Sequence, residues 1–134
     1  MKTRKMIALV AALMALALMA TACNKAGSTP TATAKAFYDA AKSKDVAGMK
    51  SVLSKRMLDM MDKAAKAQNK SVDDFIKDSN DKEPPPSSFE SRNEKIEGDT
   101  ATLEVSNGKG GWEPFHFIKE DGQWKLTLPA GAGD

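Results

Sequence analysis

The sequence predicts an α+β domain, with amphipathic helices first and an antiparallel meander of about four strands after them. Two observations carry this. Between residues 30 and 82 the apolar side chains recur every three or four positions, which is the helical period. Beyond the run Pro84, Pro85, Pro86 they recur every second position, in short runs separated by turn residues. The two regimes follow one another rather than alternate, which favours α+β over a parallel α/β plan. A chain of 134 residues leads us to expect one compact domain.

Ahead of the domain, Lys2, Arg4 and Lys5 precede an uncharged apolar run over residues 6–22. A basic start, a short apolar stretch and the small residues Ala20, Thr21 and Ala22 make a secretory signal. A retained membrane helix is the alternative. The run sits at the short end of the roughly 17–25 residues that a span needs, and no basic stop-transfer cluster follows it. "ATA" suits ordinary signal cleavage. With Cys23 behind it, the stretch also resembles a bacterial lipobox, although Leu is commoner than Ala20 at the first position.

Cys23 is the only cysteine, so an exported chain has no disulfide partner for it. Acylation, with palmitate or a similar chain, uses the thiol; a free N-terminal cysteine is the simpler alternative. One acyl chain holds only marginally, at about 0.8 kcal/mol per buried methylene, and two or three make residence stable. The expected organisation is a signal over residues 1–22, a lipidated tether over 23–28, the domain over 29–129 and a flexible tail over 130–134. Without the signal, 17 basic residues face 18 acidic ones. No basic patch then argues for nucleic acid.

The first helix follows "STP": Thr29 caps it and Pro30 occupies its first turn. Ala36, Phe37, Ala40 and Ala41 form its apolar stripe, and Asp45 is placed to cap a second helix. In that second stretch Val46, Met49, Leu53, Met57, Met60 and Ala64 step by three or four, with Leu58 and Met61 widening the face. Ser54 marks a break near Leu53. Met57, Met60 and Met61 invite a copper reading. Their spacing is what packing alone requires, and methionine fills irregular core gaps.

A third amphipathic stretch begins with the capping-box-like pair Ser71 and Asp74 and buries Val72, Phe75 and Ile76. Asp73, Asp74, Asp78 and Asp81 lack an EF-hand pattern and read as a solvated face, with the early acids suiting the helix dipole. The three prolines forbid helix and read as a stiff connector rather than a recognition motif.

Four strands follow: residues 88–96, 100–105, 112–120 and 123–128. In the second, Ala101, Leu103 and Val105 share a face. Asp121-Gly122 is a two-residue hairpin signal. That turn pairs Glu120 with Gln123, Lys119 with Trp124, Phe117 with Leu126 and Phe115 with Leu128. It gathers the apolar residues on one face and sends His116 and Ile118 to the other, beside Thr127 and Lys125.

"TPTATAKAFYDAAKSKDVAGMKSVLS", "GDTATLEV" and "FIKEDGQWKL" resemble the opening helices and closing strand repeats of nuclear transport factor 2-like domains, as small bacterial lipoproteins of unknown function carry them. The resemblance covers roughly residues 28–129. It implies helices packed into a curved sheet around a cone-shaped hollow. Phe37, Tyr38, Phe115, Phe117 and Trp124 are the residues expected to line that hollow. Some proteins of this fold are isomerases or cyclases and others only bind, so the fold transfers no chemistry.

The residues themselves carry no nucleotide loop, metal-ligand cluster or nucleophile motif. Neither a metal nor a cofactor is expected. His116, the only histidine, is the first candidate for a general base, but the hairpin register turns it away from Phe115 and Phe117. The expectation is a lipid-anchored, non-catalytic envelope domain that binds a small molecule or a protein partner, with the outer membrane as its address where there are two membranes, because Asn24 rather than Asp follows Cys23. Its only membrane contact is the lipid. An isomerase- or cyclase-like enzyme using the hollow, and a purely structural envelope protein, are the alternatives.

Overall fold

A computed structural model describes residues 25–132 of the chain. The signal, the lipobox residues Ala20, Thr21 and Ala22, and Cys23 lie outside the described residues. Among the described residues four helices precede a four-stranded antiparallel sheet, an α+β arrangement. The helices are α1 (Pro30–Lys42), α2 (Val46–Ser51), α3 (Lys55–Ala67) and α4 (Val72–Lys82). The strands β1 (Ser91–Glu97), β2 (Thr100–Ser106), β3 (Trp112–Glu120) and β4 (Gln123–Thr127) pair in sequence order. Among the described residues no helix is long and apolar enough to cross a membrane.

Each helix starts at a side-chain cap that accepts from an otherwise orphaned backbone N–H. Thr29 accepts from Ala32, Asp45 from Gly48, Ser54 from Met57 and Ser71 from Asp74. The break at Leu53 is therefore real, and it has a second cause. Residues 52–54 lie alongside β4: Leu126 N–H donates to the Val52 carbonyl at 2.8 Å, and Ser54 N–H donates to the Leu126 carbonyl at 2.7 Å. This short parallel bridge covers the outer edge of β4, an edge that would otherwise offer unpaired backbone groups.

Asp121 and Gly122 both have positive φ, 51° and 76°, as a type I′ turn requires. The β3–β4 register is the one that turn dictates, from Glu120↔Gln123 through Phe117↔Leu126 to His116↔Thr127. The ladder ends there. Phe115 and Leu128, expected to pair, do not, because the chain leaves the sheet after Thr127.

The first strand also starts later than its sequence pattern suggests. Ser91 and Arg92 pair with Val105 and Glu104, then Lys95 pairs with Thr102, so Asn93 and Glu94 together oppose one residue. This is a β-bulge, and Asn93 supplies the positive φ, 54°. Glu94 leaves the ladder and reaches the start of α1, where its carboxylate accepts from the Thr31 N–H at 2.9 Å and from the Thr31 hydroxyl at 2.5 Å. Negative charge at a helix N-terminus is favourable.

The core lies between the helices and one face of the sheet. Ala101, Leu103, Val105, Phe117, Trp124 and Leu126 from the sheet meet Ala34 and Leu53, with Phe37, Met57, Leu58, Met61 and Phe115 packed around them. A second cluster joins Ala40, Ala41 and Met49 to Ile76 of α4. Thr33 is fully buried and satisfied: its hydroxyl lies 2.9 Å from the Thr29 carbonyl and 3.1 Å from the Trp124 carbonyl.

Candidate functional site

Strand alternation puts a second set of residues on the sheet face turned away from the helices. The register aligns Lys95, Thr102 and His116 in one row across β1, β2 and β3, and Glu97 and Thr100 in the next. A groove of about 340 Å³ lies over these rows, and Leu128 and Ala130 of the segment after β4 also line it. Its size falls in the lower part of the range of roughly 300–1,000 Å³ typical of small-molecule sites.

The bulge decides what the groove contains. Arg92 and Lys95 are three residues apart, so an unbroken strand would point them to opposite faces. The extra residue brings both to the outer face, beside Glu104 and Thr102. It also turns Ile96 to the helix side, where it remains 53% exposed.

Thr102 and His116 are half-buried, and Lys95 and Glu97 stand exposed at the β1 side. Among the described residues, no side chain or backbone group bonds the side chains of Lys95, Glu97, Thr102 or His116. Thr100 is engaged, donating its hydroxyl to the Glu97 carbonyl at 3.0 Å. The groove thus presents an ammonium, a carboxylate, an imidazole and a hydroxyl on an apolar background, all free to contact a solute.

Farther along the same face, the Arg92 guanidinium lies 4.1 Å from the centre of the Trp112 ring. Its Nε donates to Glu104 at 2.9 Å, and the Asn93 amide donates to the same carboxylate oxygen. The Asn93 hydrogen bond, and then that of Arg92, hold the Glu104 carboxyl below its ordinary pKa.

The residues expected to line a hollow fall in different settings. Phe117 and Trp124 are 1% and 4% exposed within the core, and Phe37 and Phe115 pack against it. Tyr38 donates its hydroxyl to the Pro86 carbonyl at 2.9 Å, lies 5.6 Å from the Phe89 ring, and accepts from Lys42. Of the five, Phe117 alone also borders the groove, from beneath. His116 lies on the sheet face opposite Phe117, as the hairpin register requires.

Three acids of α4 are held by lysines, Asp73 by Lys50, Asp78 by Lys70 and Asp81 by Lys44, at 2.6–2.8 Å, and Asp74 accepts from the Ser71 hydroxyl at 2.7 Å. The hydrogen bond from Lys70, with its charge, lowers the Asp78 pKa. The methionines diverge: Met57 and Met61 turn to the core, while Met60 is exposed.

Sequence reading singled out His116 from this groove and missed Lys95, Glu97, Thr100 and Thr102. The one available signal was Asn93, a residue type that tolerates the left-handed region and so accommodates a bulge.

No curated protein and no solved structure matches this chain. A family model described as "Protein of unknown function (DUF2950)" matches residues 24–134. Both the helical half and the sheet that carries the groove fall within that match, and the chain belongs to the DUF2950 family.

Proposed function

We propose that this chain is a bacterial envelope lipoprotein, held to its membrane by lipid on Cys23, whose domain binds a small molecule without transforming it. The groove over Lys95, Thr102 and His116 carries the binding half of this reading. It combines apolar surface with a few convergent polar groups that the fold leaves unbonded, which is the pattern of a ligand site. The anchor half is supported by the single cysteine behind "ATA" and the apolar run. A nuclear transport factor 2-like architecture belongs to the same proposal, supported by helices gathered on one face of a four-stranded meander. Asn24 supports an outer-membrane address where there are two membranes.

The two halves separate experimentally. Cys23→Ser leaves an uncut precursor or a soluble product; a processed variant that still sediments with membranes overturns the anchor. The native lipoprotein, taken gently from membranes, retains a small molecule in native mass spectrometry; Thr102→Trp, which fills the groove floor, abolishes that retention. A protein partner co-purifying in its place overturns the small-molecule reading.

An isomerase- or cyclase-like enzyme is the second reading, favoured by the presence of His116 in the same groove as Lys95 and Glu97, across β2 from them. Turnover of ketosteroid or small-ester substrates that His116→Ala removes, with the fold intact, would establish it over the first.

A further inference from the structure

The groove's free charges have a spacing that identifies a ligand class. Lys95 and Glu97 are two residues apart on β1 and both face the groove, so their Cα atoms lie about 6.8 Å apart. They form no ion pair with each other or with any other described side chain. One end of the rim is thus cationic and the other anionic. Thr102 and His116 continue the floor from the Lys95 end, and Leu128 borders it as a half-buried apolar wall.

We propose that the groove binds a short zwitterionic peptide of about two residues with apolar side chains, which rests on the binding reading above and names its ligand. An extended dipeptide spans about 7 Å, so its terminal ammonium and carboxylate reach Glu97 and Lys95 together. The carboxylate lies toward Lys95, where the Thr102 hydroxyl and the His116 ring add donors. The ammonium lies toward Glu97. The apolar side chains face Leu128 and Ala130. A simple anion would meet the repulsion of Glu97, and a simple cation that of Lys95; a zwitterion of this length satisfies both. Capture of peptide termini by fixed donors and acceptors is a recurring recognition mode.

The test is an NMR titration of the native lipoprotein in detergent micelles, with the dipeptide Ala-Leu as probe and the His116 ring protons as reporters. A saturable shift is expected. N-acetyl-Ala-Leu-amide, with neither terminal charge, binds at least about tenfold more weakly, as loss of charge-assisted hydrogen bonds implies. Lys95→Met and Glu97→Gln each weaken Ala-Leu by about tenfold with unchanged circular dichroism and melting, since neither side chain makes an internal bond. The absence of a saturable shift, equal binding of the blocked peptide, or insensitivity to both substitutions overturns the proposal. If native mass spectrometry still finds another small molecule on the protein, only the peptide class falls, and the binding reading stands.

Discussion

The backbone N–H of Trp124 donates to the carbonyl of Gly27 at 2.9 Å. Through this bond the chain ahead of α1 docks on β4 at the very residue whose indole fills the core. Residues 25–28, legible in the sequence as part of a tether, form a turn closed by Ser28 N–H to the Lys25 carbonyl at 3.0 Å, with Gly27 buried. One residue, Asn24, separates this docked turn from Cys23, the proposed lipid carrier, so Lys25 and Cys23 are at most about 7 Å apart along the chain. A lipidated Cys23 would therefore hold the β3–β4 end of the domain close to the bilayer.

Gly27 has φ of +87°, and a Cβ there would stand 3.1 Å from the Gln123 Cβ. Gly27→Ala should cost about 1–2 kcal/mol, the usual penalty for a side chain in the left-handed region. Amide exchange of Trp124 measured by NMR should accelerate more than that of Leu103 in the central strand. Equal protection of Trp124 in both proteins would show that the turn does not depend on this geometry.

Trp124 itself is 4% exposed, with the Lys119 ammonium 5.4 Å from its ring centre. Its replacement by Ala removes the largest side chain of the main core cluster. Such truncations cost about 3–5 kcal/mol, a large part of the roughly 5–15 kcal/mol that keeps small domains folded. The melting temperature should fall by more than about 10 °C. A melt within a degree or two of wild type would disprove the role assigned to this face.

Tyr38→Phe tests what fastens the proline connector. The Tyr38 hydroxyl holds the Pro86 carbonyl, and the Lys42 ammonium holds both that hydroxyl and the Ser87 carbonyl. Removing one oxygen should cost about 0.5–1.5 kcal/mol globally. The sharper readout is limited proteolysis, which should cut faster near residues 82–88 while cleavage elsewhere stays unchanged. Uniform cleavage rates would mean that the connector is held by other contacts.

Glu104 links folding to pH. Its folded pKa is depressed, so its contribution is fully present above the ordinary glutamate value and is lost as pH falls through the lower, folded one. Between about pH 5 and pH 3 the wild type should lose melting temperature through this group. Glu104→Gln lacks the carboxylate and should lose less over the same interval, though starting lower at neutral pH. Parallel melting curves for the two proteins across that interval would rule out the Asn93–Arg92–Glu104 cluster as a source of stability.

Local chemistry is what made much of the fold readable in advance. A cap needs only its own turn, so Thr29, Asp45, Ser54 and Ser71 announce four helix starts without knowledge of anything distant. The Asp121-Gly122 turn fixes a register because two residues of positive φ leave one way to pair the flanking strands. Ala101, Leu103 and Val105 declare their face by alternation alone.

The candidate site was not legible in that way, because each part of it depends on residues far apart in sequence. Lys95 joins Thr102 and His116 only because a bulge at Asn93 and Glu94 shifts the phase of β1, and Glu94 is drawn out of the ladder by Thr31, sixty-three positions earlier. Leu128 becomes a wall only because the chain leaves the sheet one pair sooner than the hairpin pattern implies. Composition and period determined the α+β plan and the face that packs on the helices. The tertiary structure alone decided which side chains remain unbonded on the other face, since that depends on which of them find partners after the chain has closed on itself.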